Sequence, residues 1–98
     1  MIKQNQKIVW KTKNLGDLCR VIGGGTPSKD KEEYYSGDIP WATVRDMRSE
    51  VITETECKIT KTAVKSSATN IIPNGNVVIA TRVGLGKVCL LGQDTAIN

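Results

Sequence analysis

Two stretches of this sequence hold residue types that could grip a phosphate. Gly23 to Lys29, "GGGTPSK", offers glycine amides, the hydroxyls of Thr26 and Ser28, and the Lys29 ammonium. Thr81 to Val88, "TRVGLGKV", sets Gly84 and Gly86 between Arg82 and Lys87. A nucleotide-binding loop needs a leading glycine, so that backbone amides face the phosphates, and Ser or Thr after its lysine to hold magnesium. The second stretch has Thr81 at its head and Val88 after Lys87, so it fails at both positions. The dinucleotide pattern fails too, because Cys89 stands where its third glycine belongs. The first stretch lacks a lysine at the required place. Two compatible readings of it remain: a simpler anion contact, or a tight bend in which the glycines only permit close packing.

Catalytic chemistry finds less to work with. The chain has no histidine, so a cysteine or serine nucleophile lacks its commonest base. Glu32, Glu33, Asp38 and Asp46 are carboxylates whose spacing selects no pair, and a solvated surface accounts for them. Cys19, Cys57 and Cys89 are widely spaced with no C-x-x-C, which does not meet the short paired spacings of a zinc site. They read as small buried thiols. The expectation is a chain that is not an enzyme by itself and needs no metal and no cofactor.

Cations are the remaining chemistry. The net charge is +4, a mild bias compatible with an anionic partner. Lys3, Lys7, Lys11 and Lys13 lie in the first fourteen residues with no acid among them; residues 1–13 read as a basic N-terminal extension. In "TVRDMRSE", Arg45 and Arg48 stand three apart and share a side if the segment makes a helical turn. Arginine is the usual bidentate reader of guanine, although either could instead pair with Asp46 or Glu50. Arg82 and Lys87 flank the "VGLG" turn and project from one hairpin end.

The elements that must position these groups belong to a single small domain. Its 98 residues, 39% hydrophobic and 24% charged, suffice for one core of modest depth. No apolar run approaches the ~20 residues of a membrane span, and the polar, basic start is unlike a secretory signal, so the cytoplasm is the expected location. "LGDLC" suits a turn of helix, and "CRVIGGG" a strand that its glycines end. Ser28 or Asp30 is placed to cap a short helix over "KEEYY". "IPWATV" is extended, with Pro40 arguing for an edge or a strand start. "VITETECKIT" is β-like, and "KTAVKSSA" fits one or two helical turns. Asn74-Gly75 marks a turn before the strand "NVVIATR", which "VGLG" joins to "KVCLL" as a hairpin. Trp41, Tyr34 and Tyr35 read as core residues rather than base stackers. The fold class expected is α+β, strand-rich, with a mixed or antiparallel sheet and short helices.

Taken in order, the phrases "LGDLCRVIGGGTPS", "YYSGDIPWATVRDM", "ITKTAVKSSATNIIPNGNVVIATRVGLGKV" and "TAIN" resemble the target-recognition domain of a type I restriction-modification specificity subunit. The likeness covers residues 14 to 98 and corresponds to the front portion of such a domain, the whole domain being longer. It implies a non-catalytic module that reads double-stranded DNA and directs methyltransferase and restriction (nuclease) subunits. With DNA as the expected partner, side-chain chemistry makes Thr26, Ser28, Lys29, Arg45, Arg48, Arg82 and Lys87 the candidate contacts. A partial domain also implies open sheet edges, which self-association would cover.

Two readings from other classes compete. One is a protein-interaction module that joins methyltransferase or sibling specificity subunits without touching DNA. The other, a single-strand binder, is poorly supplied, with aromatics at 4% and no phenylalanine for a stacking platform.

Overall fold

A computed structural model describes residues 10–98. Lys3 and Lys7 of the basic extension lie outside the described residues; Lys11 and Lys13 are exposed. The chain folds as α+β, with two sheets and short helical segments. Helix α1 spans Leu15–Leu18 and buries no side chain. A 3-10 turn at Glu32–Tyr35 leads into β1 (Ile39–Ala42), and a second 3-10 turn, Val44–Asp46, follows it. Next come β2 (Val51–Ile52), β3 (Cys57–Ile59) and α2 (Lys61–Lys65). The chain continues through β4 (Ile71–Ile72), β5 (Val77–Ile79), β6 (Val88–Leu91) and β7 (Thr95–Ile97).

The strands form a four-stranded sheet of order β3-β1-β7-β4 and a three-stranded sheet of order β2-β6-β5. In the larger sheet β1 runs antiparallel to β3 and parallel to β7, with Trp41 opposite both Cys57 and Ala96. Alternation along β1 then divides the core. Trp41 joins Tyr34, Ile59, Ala63 and Ala96, so this face packs against the first 3-10 turn and α2. Ala42 faces the other way and joins Ile52, Ile72, Cys89 and Leu91, where the two sheets meet. The layers are therefore helical segments, the larger sheet, and the smaller sheet outermost.

Local chemistry explains the boundaries. Thr60 caps α2, its hydroxyl accepting from the Ala63 N–H at 3.1 Å. The β5–β6 hairpin forms as expected, with Val78 opposite Cys89; β5 stops at Ile79, so the chain around Arg82 belongs to the tip. Pro40 lies in an interior strand, yet the β7 register begins only at Trp41. The strand-start reading holds and the edge reading does not.

Three other expectations change. "CRVIGGG" makes no strand. Its carbonyl and amide groups are taken singly, Gly23 O by the Asn70 side chain (2.8 Å) and Gly25 N by Ile97 O (3.1 Å), with no ladder alongside. Lys31, rather than Ser28 or Asp30, precedes the 3-10 turn, because residues 28–31 close a turn of their own through Lys31 N and Ser28 O. Of the thiols only Cys89 is buried; Cys57 is half-buried and Cys19 exposed.

Candidate nucleic-acid interface

The glycine run is a close-packing device. A Cβ on Gly24 would collide with Ile97 O, and one on Gly25 would sit 2.7 Å from Ala68 Cβ. Positive φ occurs elsewhere among the described residues, at Gly75, Gly84 and Gly86. The loop is also pinned from the core side. Trp41 Nε1 donates to Gly25 O at 3.1 Å, and Tyr35 Oη donates to Pro27 O at 2.7 Å. The Tyr35 and Trp41 rings meet edge to face at 6.0 Å, which fixes both donors. Thr26 points outward and donates to Asn98 Oδ1 at 2.9 Å. Ser28 and Lys29 are exposed at the far end of the bend. Gly25 N is taken up by Ile97 O and is not free for an anion.

Arg45 is set by a capping box. Thr43 Oγ1 accepts from Arg45 N at 3.2 Å, and Asp46 Oδ2 accepts from Thr43 N at 2.8 Å. Asp46 Oδ1 takes the Glu56 N–H at 2.9 Å, so this buried carboxylate is spent on backbone. Arg45 projects to solvent with no ion pair among the described residues. Arg48 differs. It pairs with Glu56 at 2.9 Å and donates to Arg45 O at 3.0 Å. Its partner is thus neither Asp46 nor Glu50, because the cap consumes the first and the fold brings Glu56 alongside instead.

The hairpin tip joins this place. Ala80 N reaches Lys87 O at 2.9 Å, and Lys87 N reaches Gly84 O at 3.0 Å. Gly84 and Gly86, at φ 67° and 91°, supply the left-handed conformations that this return needs. The point where Gly84 would carry a Cβ lies 2.9 Å from Val44 Cγ2 and 3.2 Å from Lys87 Cδ. The tip therefore rests on the 3-10 turn that presents Arg45, and the Lys87 stem folds into the same contact. Arg82 and Lys87 are exposed there without ion pairs among the described residues.

The glycine bend lies toward the same end of the larger sheet. Gly25 bonds Ile97 at the carboxyl end of β7, and Asn98 N donates to Ala42 O, at the end of β1, at 3.0 Å. The turn carrying Arg45 begins two residues beyond Ala42. Sequence reasoning missed Val44 and Asn98, whose roles depend on long-range packing. It also missed the Thr43–Asp46 cap, although the T-x-x-D spacing is a local signal.

Concave sites offer a poorer alternative. A shallow cleft of about 440 Å³ is lined by Asp38, Glu54, Lys58 and neighbours, and another of about 360 Å³ by Asp46, Arg48, Glu54 and Glu56 among others. Their carboxylates oppose an anionic ligand. No group of acidic or cysteine side chains among the described residues is placed to hold a metal, and none of their helices is long and apolar enough to cross a membrane.

Comparison with known proteins gives the class to which the sequence belongs. A family model for the type I restriction modification DNA specificity domain matches residues 7–98, and the chain belongs to that family. It is 37% identical over 92 residues to the MjaIX specificity subunit of Methanocaldococcus jannaschii, covering 91% of this chain and 21% of that protein. Against the EcoR124I/EcoR124II specificity subunit of Escherichia coli the identity is 40% over 77 residues, with 78% and 19% covered. The HindI specificity subunit of Haemophilus influenzae is 29% identical over 90 residues. The chain spans about a fifth of the length of these relatives.

Proposed function

We propose that this chain reads double-stranded DNA as part of the specificity subunit of a type I restriction-modification system in the cytoplasm. The module is non-catalytic; in a full-length context, methyltransferase and restriction subunits carry out the chemistry at the DNA that it selects. The observation that supports this reading is the seating of the hairpin tip, which bears exposed Arg82 and Lys87, on Val44, the neighbour of exposed Arg45. Uncommitted guanidinium and ammonium groups are what phosphate and guanine edges require. In this reading Lys87 and Lys29 bind phosphate, with Thr26 and Ser28 as neutral donors. Arg45 and Arg82 reach base edges or phosphates. Arg48, held by Glu56, serves as a positioning cation that changes partner on binding.

A duplex titration by fluorescence anisotropy at several salt concentrations tests the reading. Each phosphate contact releases counterions, so Arg45→Ala or Lys87→Ala should weaken binding and lower the log–log salt slope by about 0.9. Unchanged affinity and slope in both variants would remove these residues from the interface. The rival reading, a protein-interaction module that never touches DNA, draws on the exposed aliphatic residues of the smaller sheet, Val51, Val77, Ile79, Val88 and Leu90. It calls for no retardation of random duplex even at low salt, together with co-purification of a methyltransferase or sibling specificity subunit.

A further inference from the structure

The loop between β5 and β6 carries two aliphatic side chains set between cations. The last bonds of the hairpin run from Ala80 N to Lys87 O, at 2.9 Å, and from Gly86 N to Ala80 O, at 3.1 Å. Residues 81–85 form the loop beyond them. In it Val83 is 74% and Leu85 78% exposed, among the most exposed large apolar side chains of the described residues. Neither belongs to a core cluster. Leu85 stands between Gly84 and Gly86, both at positive φ, and Gly84 packs against Val44. Two hydrocarbon side chains are thus presented on a turn whose shape the backbone sets. Arg82 and Lys87 flank them, exposed and without ion pairs among the described residues. No acidic residue occurs from Cys57 to Gln93.

We infer that Val83 and Leu85 are specificity-determining residues that pack on thymine methyl groups in the DNA major groove. The inference rests on the reading of this chain as a DNA-binding module and adds the base that the loop selects. Charge decides the kind of partner. A protein that covered this loop would bury Arg82 and Lys87 with it, at a cost unless each met an acid. A duplex groove has phosphates along its rims and base edges at its floor. Width decides the groove. The two backbones of a hairpin lie about 4.8 Å apart before side chains are added. The major groove, about 12 Å wide, admits such a ribbon, whereas the minor groove, about 6 Å wide, is too narrow for it. Chemistry decides the base. Valine and leucine have no side-chain donor or acceptor, so they cannot read the hydrogen-bonding pattern of a base edge. The C5-methyl of thymine is the apolar group that the major-groove edges present. Burying one methyl-sized group against aliphatic carbon corresponds to about a 4-fold preference for thymine over uracil.

Enrichment of a random duplex library on the whole chain, then anisotropy titration of the enriched duplex, is the test. The wild-type chain should enrich thymine at particular positions. Uracil at such a position removes only the methyl and should weaken wild-type binding about 4-fold. Val83→Ala with Leu85→Ala should bind the thymine duplex more weakly and no longer distinguish thymine from uracil. Its salt slope should match the wild type, because no cation is lost. Both side chains are exposed, so the variant should keep the wild-type far-UV circular dichroism. A wild-type chain that binds duplex without preferring thymine overturns the inference, as does a preference that survives uracil replacement. So does a thymine–uracil difference that the double variant retains, or a changed salt slope in that variant. Each of these results leaves DNA binding itself standing. A wild-type chain that retards no duplex even at low salt refutes the DNA-binding reading, and this inference with it.

Discussion

Gly84 is where the fold and the candidate DNA surface depend on the same atoms, and Gly84→Ala separates two costs. The first is conformational: at φ 67° an L-residue is strained, by about 1 kcal/mol. The second is steric. The added methyl would lie 2.9 Å from Val44 Cγ2 and 3.2 Å from Lys87 Cδ. Lys87 can swing aside, whereas Val44 is β-branched and stiff, so the tip must lift or Val44 must leave its rotamer, at about 1–3 kcal/mol. Gly86 provides the control, since it shares a positive φ of 91° and an added Cβ there meets nothing within 4 Å. Gly86→Ala should therefore lower stability by about 1 kcal/mol, and Gly84→Ala by about 2–4 kcal/mol. In a domain of this size each kcal/mol moves Tm by about 4–8 °C, so calorimetry resolves the two variants. Duplex affinity should fall further in Gly84→Ala than in Gly86→Ala, because lifting the tip separates Lys87 and Arg82 from Arg45. Equal stability losses in the two variants would refute the seating of the tip on Val44.

Other outcomes follow from single contacts. Asp46→Ala leaves the Thr43 and Glu56 N–H groups without their acceptor; urea unfolding should show a loss of about 2–3 kcal/mol. Arg48→Ala removes an ion pair whose side chains are 69% and 47% exposed, so its stability cost should stay below about 1 kcal/mol while any DNA effect appears in the salt slope. Burial, with a lesser contribution from Cys57, pushes the Tyr35 hydroxyl above its ordinary value of 10.0. The protonated phenol is the form that the fold holds, so its stabilisation is complete below pH 10.0 and is lost as pH rises through the higher folded value. Tyr35→Phe should lower stability by about 1 kcal/mol near neutral pH and flatten the alkaline limb of a pH–stability curve.

Local signals carried much of the architecture. The two apolar runs that "VGLG" joins specify the β5–β6 hairpin, and "KTAVKSSA" the short helix α2, because turn and helix signals act within a few residues. Pairing between distant segments left no such trace. "CRVIGGG" has the composition of a strand, but a strand needs a neighbour, and here Asn70 and Ile97 each take a single group from it instead. The division into two sheets was equally hidden, since it follows from β7 entering between β1 and β4. At the candidate site, residue type alone makes Arg45, Arg82 and Lys87 candidates. That the hairpin tip meets the turn carrying Arg45 was not legible, because it depends on Gly84 meeting Val44 across the fold. Asp46 looked like a partner for arginine until the capping box claimed it.

The position of β7 has a consequence for how the chain is made. Thr95–Ile97 completes the larger sheet between β1 and β4, so β4 has no partner until those residues leave the ribosome. The β5–β6 hairpin is local and is ready sooner. A growing chain that has released Leu91 can hold a hairpin apolar on both faces, with the surface that should cover the inner one still unassembled. At ordinary elongation rates that interval lasts on the order of a second, long enough for a chaperone to meet a sheet with two bare sides.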